Sequence, residues 1–377
     1  MSTRRKWWFI AAAVAIAAAA IFAFRRSGSP TSLRRDPPAP DSLLNSPLDR
    51  TVEARKEFVR AYRVADRVHS GPLFEAFLPR IGANGIRDGI KTVYPACHDE
   101  AHELGKLIFS RLQDVGASLE SCADACASGC MHGVLMQFFT NGSMASMDGQ
   151  AHQHSGQLTT ADIAGRIPTF CDNRAMTSMY SPGDCAHGVG HAVMFLSKYD
   201  IPAGISLCER FQSYALRYYC ATGAYMEYRL VRTPTDYPVH GGLYPCDSAP
   251  YPAACFRYVM TNTLRWLDSS GGKLETLERQ CATLNGKYQL GCFHGIGNAL
   301  VGKIALGQLT VANACGFGSR DDQTVCVEGA MERLGKFTPT VAAERCAPLT
   351  DWRREVCQAA ASRKMYDMTK SFAMYRR

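Results

Sequence analysis

The sixteen cysteines constrain the fold more than any other feature of the sequence, because they recur at a regular spacing. Eight of them follow one another at intervals of 33, 55, 35, 35, 37, 34 and 31 residues. We call these eight the second-column cysteines, because most of them follow a partner cysteine, in the first column, by a short distance. They are Cys97, Cys130, Cys185, Cys220, Cys255, Cys292, Cys326 and Cys357. An interval of about 35 residues is the length of one helix–turn–helix repeat. The spacing therefore predicts an all-α chain of such repeats, with an insertion near residues 141–165 in the one long interval.

Six first-column cysteines precede a second-column cysteine by 9 to 14 residues, and each such pair is predicted to form a disulfide. The predicted bridges are Cys171–Cys185, Cys208–Cys220, Cys246–Cys255, Cys281–Cys292, Cys315–Cys326 and Cys346–Cys357. Of Cys122 and Cys126, one is expected to pair with Cys97 and the other with Cys130, and the spacing does not decide which. An even number of regularly spaced cysteines indicates an oxidising compartment.

The best-formed repeat runs from residue 274 to residue 302. Its first helix is predicted to end near Cys281, a turn follows at Asn285-Gly286, and its second helix starts near Cys292. A bridge between the two helices closes a short loop and contributes about 3 kcal/mol in the chain-entropy account. Stacked repeats of this kind predict a solenoid or a closed α/α toroid.

The predicted architecture resembles that of the Sel1-like repeat proteins of bacteria, which are also stapled by disulfides. The cysteine spacing is wider here and the histidines are not part of that pattern, so the resemblance concerns shape alone. Five repeats carry a glycine three residues after the second-column cysteine: Gly133, Gly188, Gly223, Gly295 and Gly329. Glycine costs a helix interior about 1 kcal/mol relative to alanine, so these positions predict close helix packing.

Residues 1–26 predict an N-terminal signal anchor. The apolar run from Trp7 to Phe24 has arginine or lysine on both sides and is just long enough to span a bilayer. A cleaved signal peptide is the alternative, but residues 20–23 form a poor cleavage site. Residues 3–8 loosely resemble a twin-arginine export signal. The flanking charges leave the orientation open; the cysteines favour a single-pass inner-membrane protein with its bulk in the periplasm.

Residues 27–48 form a Pro/Ser/Arg-rich stretch that predicts a flexible linker. Residues 49–377 then form the predicted cysteine-rich repeat domain. Its leading segment shows helical periodicity through Phe58 and Tyr62, and residues 79–89 predict a loop and a short helix. The chain has a net charge of +8, of which +6 lies in residues 1–60. A nucleic-acid-binding domain would carry a basic stripe on its folded part, so no nucleic-acid partner is expected.

Histidines occupy the second or sixth position after several second-column cysteines, one position earlier in the first repeat. Residues four apart share one face of a helix, so these side chains would converge if the second helices line a common groove. The candidate metal ligands are His98, His102, His132, His187, His191 and His294. Imidazole suits iron, copper or zinc, and Glu227 and Glu328 are the candidate general acid/base residues or accessory ligands. The alternative is a set of buried histidines that only fill hydrogen-bonding needs between repeats.

Two further segments could bind metal. The C-x-x-x-C-x-x-x-C-x-H pattern at residues 122–132 offers thiolates and an imidazole, but disulfide formation is the stronger reading in an oxidising compartment. The insertion holds methionine and histidine side chains suited to copper, namely Met144, Met147, His152 and His154. A mobile polar loop explains the insertion more simply. The sequence contains no C-x-x-C-H haem motif and no G-x-S-x-G, P-loop or G-x-G-x-x-G fingerprint.

These observations favour a membrane-anchored periplasmic protein whose His/Glu-lined groove binds a transition metal for metal-dependent, including oxidative, chemistry. A second hypothesis is a non-catalytic scaffold whose concave surface binds an envelope protein or peptide. A third is copper or zinc handling without catalysis, in which the insertion would carry the metal.

Overall fold

The computed structural model describes residues 48–66, 70–94, 97–122, 126–140, 160–171, 181–231 and 242–363. All of them belong to one compact unit, residues 40–377. The predicted anchor, the predicted linker up to residue 47 and residues 141–159 of the insertion lie outside the described residues. Every regular element within the described ranges is helical, which confirms the all-α prediction. Among the described helices, none combines the length and apolar character needed to cross a bilayer.

The first half of the unit contains nine α-helices and one 3-10 turn among its described residues. The helices are α1 Leu48–Val64, α2 Gly71–Val93, α3 His98–Leu112, α4 Val115–Cys122, α5 Gly129–Thr140, α6 Thr160–Phe170, α7 Pro182–Leu196, α8 Ile201–Cys208 and α9 Tyr214–Val231. The 3-10 turn, Cys126–Ser128, leads directly into α5.

The second half continues in the same alternation of long and short helices. They are α10 Pro252–Ser269, α11 Leu274–Ala282, α12 Lys287–Ala299, α13 Val301–Ala305, α14 Val311–Ala314, α15 Arg320–Phe337, α16 Pro339–Cys346 and α17 Asp351–Ala361. Each second-column cysteine is the N-cap of a longer helix or one of its first seven residues, in α3, α5, α7, α9, α10, α12, α15 and α17. Each of these eight helices packs against the next one in chain order.

Eight disulfides staple the unit, and the structure contains no free cysteine among its described residues. Six of them join the cysteines that the two-column spacing pairs. In the first repeat, Cys97 bonds to Cys126 and Cys122 bonds to Cys130. The bridge to Cys126 fixes the start of α3 against the 3-10 turn, which matters for the site described below.

Glycines allow three pairs of long helices to approach at backbone distance. In the α7–α9 pair, a Cβ atom added at Gly223 would lie 1.9 Å from the His187 carbonyl oxygen, and one at Gly190 would lie 2.0 Å from the Cys220 carbonyl oxygen. Real Cβ atoms never approach so closely, so any side chain here would push the helices apart. The same reciprocal contact joins α3 to α5 and α12 to α15, which confirms the close packing predicted from these glycines.

The start of α7 is fixed by local sequence. Ser181 is the N-cap, with its hydroxyl accepting a hydrogen bond from the Asp184 backbone N–H, and Pro182 occupies the first helical turn. Serine satisfies the unpaired N–H groups of a helix start, and proline at that point loses no hydrogen bond. This cap fixes where α7 begins, and His187 and His191 lie in its middle, where every residue from Cys185 to Met194 is buried.

The two leading helices form an aromatic cluster in which Phe58 and Tyr62 of α1 are fully buried against Phe74 of α2. The prediction of a loop and a short helix at residues 79–89 is right about the helix and wrong about the loop, because the chain is helical through this stretch, including Pro79, apart from a kink. The chain departs from helical geometry only at Gly82, with φ 66° and ψ 174°. Glycine adopts this conformation without steric cost, so the helix bends there instead of ending.

Candidate metal centre

Four of the six predicted ligands meet in one cluster. His98 of α3, His132 of α5, and His187 and His191 of α7 each offer one ring nitrogen, and these four atoms all lie within 4.8 Å of one another. The side chains of His132, His187 and His191 are completely buried, and His98 is partly exposed. The convergence follows from the helix order, since α5 packs between α3 and α7.

The ring of His191 is oriented by a carboxylate on α9. Its Nδ1 lies 2.9 Å from Glu227 Oε2, and the Tyr199 hydroxyl donates to the other carboxylate oxygen at 3.5 Å. An ionised carboxylate only accepts hydrogen bonds, so Nδ1 of His191 carries the proton. Its Nε2 therefore presents a lone pair to the cluster, as in the carboxylate–histidine–metal arrangement of known metal sites.

The ring of His187 is oriented by a hydroxyl on the same neighbouring helix. Its Nδ1 lies 2.7 Å from Thr222 Oγ1, and this hydroxyl donates its own proton to the Tyr219 carbonyl oxygen at 2.5 Å. Because the hydroxyl proton is already engaged, Thr222 accepts from His187, and Nδ1 of His187 carries the hydrogen. Its Nε2 is then also a lone-pair donor.

The ring of His98 is oriented by the disulfide-bonded 3-10 turn. Its Nδ1 lies 3.2 Å from the Cys126 carbonyl oxygen, which can only accept, so Nε2 of His98 is the third lone-pair donor. Nδ1 of His132 lies 3.3 Å from this Nε2, and Nε2 of His132 is buried without a hydrogen-bond partner among the described residues. His132 is thus the one member of the cluster that no outer group orients.

Two of the six nitrogen–nitrogen distances match a tetrahedral metal site, and all six are 4.8 Å or less. Nε2 of His187 and Nε2 of His191 are 3.3 Å apart. Nε2 of His98 and Nδ1 of His132 are also 3.3 Å apart. Metal–nitrogen bonds of about 2.0–2.1 Å at tetrahedral angles place two ligand nitrogens roughly 3.3–3.4 Å apart. Because Nδ1 is protonated on both His187 and His191, their two Nε2 atoms face each other with lone pairs and no hydrogen between them. Two such lone pairs repel each other, and a cation bound between them would remove the repulsion.

The protonation state of the rings also favours metal binding. Burial lowers the pKa values of His132 and His187 well below the ordinary value, and positive charge on neighbouring histidines would lower them further. These imidazoles are therefore neutral at physiological pH, which is the form that ligates metal ions.

His102 borders the cluster without joining the group of four. Its ring centroid lies 4.8 Å from that of His191 and 5.0 Å from that of His98. Burial lowers its pKa well below the ordinary value, and its Nε2 is buried without a partner among the described residues. The structure therefore places a fifth imidazole next to the centre, and this one is neutral at physiological pH.

The structure does not bring His294 or Glu328 to the centre. His294 of α12 is completely buried, and its Nε2 lies 3.5 Å from Glu332 of α15. Glu328 pairs with Arg363 at 2.9 Å, and Arg363 also reaches Glu332 at 3.1 Å. These side chains belong to a separate ion-pair network on later helices, at positions equivalent to those of the clustered histidines.

Glu227 does reach the centre, but through His191. Both of its oxygens already accept hydrogen bonds, from His191 and from Tyr199, so its position is that of a residue that orients a ligand. Thr222 and the Cys126 carbonyl were not among the predicted site residues. Thr222 occupies the second position after Cys220, which is the position of the histidines in other repeats. This position is the sequence feature that could have identified Thr222 as a site residue.

No protein-family model, curated protein or solved structure matches this chain.

Proposed function

We propose that the protein binds a single transition-metal ion through His98, His132, His187 and His191. The observation that carries this proposal is the convergence of four ring nitrogens within 4.8 Å, three of them on rings whose Nδ1 is hydrogen-bonded away from the centre. An all-imidazole ligand set suits zinc, copper and iron. Full burial of three ligands supports a resident ion rather than one that is passed between proteins.

The same geometry favours a metal-dependent enzyme, with oxidative chemistry included in its range, over a structural metal site. Structural sites hold together domains that lack a sufficient core, whereas this unit has eight disulfides and an extensive apolar core. Catalytic zinc centres use three protein ligands and leave the fourth position to water or substrate. Four histidines close the centre, so catalysis would require His132, the ring that no outer group orients, to leave the ion and open that position.

The proposal places the metal centre inside a curved array of helical repeats, as a solenoid or closed toroid, anchored by residues 1–26 with its bulk in the periplasm. Eight disulfides support an oxidising compartment. Blocking free thiols in intact cells before reduction tests this part. We expect none of the sixteen cysteines to react with the blocking reagent before reduction. Cysteines that react with it at that stage would contradict an extracytoplasmic location.

Metal titration of chelator-stripped protein tests the proposed centre. We expect the wild type to bind one equivalent of zinc or copper tightly and the His187→Ala/His191→Ala variant to lose this binding. His294→Gln is the matched control, because it also alters a fully buried histidine but lies in the separate ion-pair network, and it should keep one equivalent. Wild-type protein that folds normally and binds no metal would contradict the proposal and favour the non-catalytic scaffold.

A further inference from the structure

His102 is a buried histidine that the proposed four-ligand centre does not use. It is only 4% exposed, and its Nε2 is buried without a hydrogen-bond partner among the described residues. A buried polar atom that lacks a partner destabilises the folded state. This cost requires a compensating contact, and no described protein group supplies one to this nitrogen.

The pair His98 and His102 on α3 has the same arrangement as the pair His187 and His191 on α7. In each pair the residues are four positions apart on one helix, and the ring centroids lie 5.0 Å apart. The ring planes are inclined at 70° in α3 and at 78° in α7. In the α7 pair both rings belong to the proposed centre, and their Nε2 atoms are 3.3 Å apart. The α3 pair repeats this geometry with His102 in the second place.

The four rings of the proposed centre are unevenly spaced. Four of their six centroid distances are 4.8–5.3 Å, but His98 lies 6.4 Å from both His187 and His191. Four identical ligands on a regular tetrahedral ion would lie at similar distances from one another. His102 packs against both rings of one wide pair, 5.0 Å from His98 and 4.8 Å from His191. These distances equal the spacing between neighbouring ligands of the centre.

A fifth imidazole changes which ions the site suits. Structural zinc in proteins is almost always four-coordinate, so a fifth ring would be surplus for zinc. Copper(II) prefers tetragonal sites with nitrogen ligands, and imidazole also suits iron. These ions accept five or six ligands. A six-coordinate ion held by five imidazoles keeps one position for a further ligand, so no histidine has to leave.

From these contacts we propose that His102 is a fifth ligand of the metal centre and that the resident ion is copper or iron rather than zinc. The inference rests on the proposed metal function, because it assigns one more residue to the same centre. The remaining position of the ion takes water or a small molecule. Four of the five rings are at most 4% exposed, which excludes a bulky ligand.

The visible absorption of the cobalt(II)-loaded protein tests the number of ligands, because four-coordinate cobalt absorbs strongly and five- or six-coordinate cobalt weakly. We expect weak bands from the wild type and several-fold stronger bands from His102→Phe, which keeps a ring but offers no nitrogen. His294→Gln is the control at another completely buried histidine and should give the wild-type spectrum. A cobalt spectrum that His102→Phe leaves unchanged would overturn the assignment of His102.

A thermal melt of the metal-free proteins separates a ligand from a structural residue. Because phenylalanine removes a buried nitrogen without a partner, we expect the Tm of His102→Phe to equal or exceed that of the wild type. With the Tm retained, complete loss of cobalt binding in this variant would also support the ligand role. A lower Tm would mean that the His102 nitrogens stabilise the fold itself, and it would overturn the proposal.

Chelator competition with copper(II) and with zinc tests the choice of ion. We expect His102→Phe to weaken copper(II) binding about ten-fold or more and to leave zinc affinity nearly unchanged, because four ligands satisfy zinc. An equal loss of affinity for both metals would contradict the assignment of the ion.

The same measurements distinguish this inference from the proposed function. Wild-type protein that binds none of the three metals would refute the four-histidine centre itself. Wild-type protein that binds one equivalent of cobalt, with a spectrum that His102→Phe does not change, would keep that centre and lose only its fifth ligand.

Discussion

The three outer hydrogen bonds of the proposed metal centre each come from a different kind of group: a carboxylate, a hydroxyl and a backbone carbonyl. They reach Nδ1 of His191, His187 and His98. The histidines could be predicted because they recur in the sequence at the same position relative to the cysteines. Their partners were not, because the contact of Thr222 or Glu227 with a given ring depends on how α9 is placed against α7.

The Glu227→Gln variant tests the orienting role of this carboxylate. Glutamine keeps the shape and can still accept from His191, but it removes the negative charge that strengthens the ligand, so we expect metal affinity to fall about 10–100-fold. Chelator competition measures the affinity. Tyr199→Phe is the control, because its hydroxyl contact of 3.5 Å is long and its loss should change affinity little. Unchanged affinity in Glu227→Gln would contradict the assigned role.

At the scale of helices, the glycine contacts bring the ligand-bearing backbones together. Cysteine spacing was sufficient to predict an all-helical unit, and the glycines three residues after the second-column cysteines predicted close helix packing. The spacing was not sufficient for α2, where proline and glycine suggested a loop but tertiary packing of Ile81 and Ile86, which are 4% and 0% exposed, keeps the chain helical.

The Gly223→Ala variant tests the close approach of α7 and α9. The added Cβ would lie 1.9 Å from the His187 carbonyl oxygen, so the helices must separate, and we expect a loss of about 1–3 kcal/mol in the free energy of unfolding together with weaker metal binding. Gly165→Ala is the matched control at an exposed helical position, where an added Cβ would have no atom within 4 Å. It should be neutral or stabilising, because alanine favours helix more than glycine does. Equal effects in both variants would refute the close-packing argument.

The bridge between Cys97 and Cys126 should influence the metal centre more than a remote bridge does. Its 3-10 turn supplies the carbonyl that orients His98. Replacing both cysteines by serine is expected to lower stability by about 2–5 kcal/mol and also to weaken metal binding. Replacing the remote pair Cys346–Cys357 should lower stability without changing metal affinity in the protein that remains folded. Denaturant titration and chelator competition measure the two effects.

At the scale of the whole molecule, the buried polar side chains of the long helices fall into two groups that differ in chemistry. The group on α3, α5 and α7 consists mainly of histidines, and the group on α10, α12 and α15 includes ion pairs such as Arg257–Glu332. The repeat pattern alone could not separate them. His294 obeys the same positional rule as His187, yet its neighbours across the packed helices are carboxylates and arginines.

Stability of the metal-free protein should depend on pH through the buried histidines. Burial lowers the pKa values of His102, His132 and His187 below 6.5, so the unfolded chain binds more protons than the folded one just below that pH. The free energy of unfolding should therefore fall as the pH drops below about 6.5, by up to about 1.4 kcal/mol per pH unit for each histidine. Denaturant titrations across this range measure the slope. A flat profile would contradict the neutral, buried state of these rings.

X-ray absorption spectroscopy of the metal-loaded protein tests the central claim most directly, because it counts the ligand atoms around the ion. The structure predicts a first shell of nitrogens at about 2.0–2.1 Å for zinc, with imidazole scattering from His98, His132, His187 and His191, and its loss in the His187→Ala/His191→Ala variant. A shell dominated by oxygen or sulfur, or the same nitrogen shell in that variant, would contradict it.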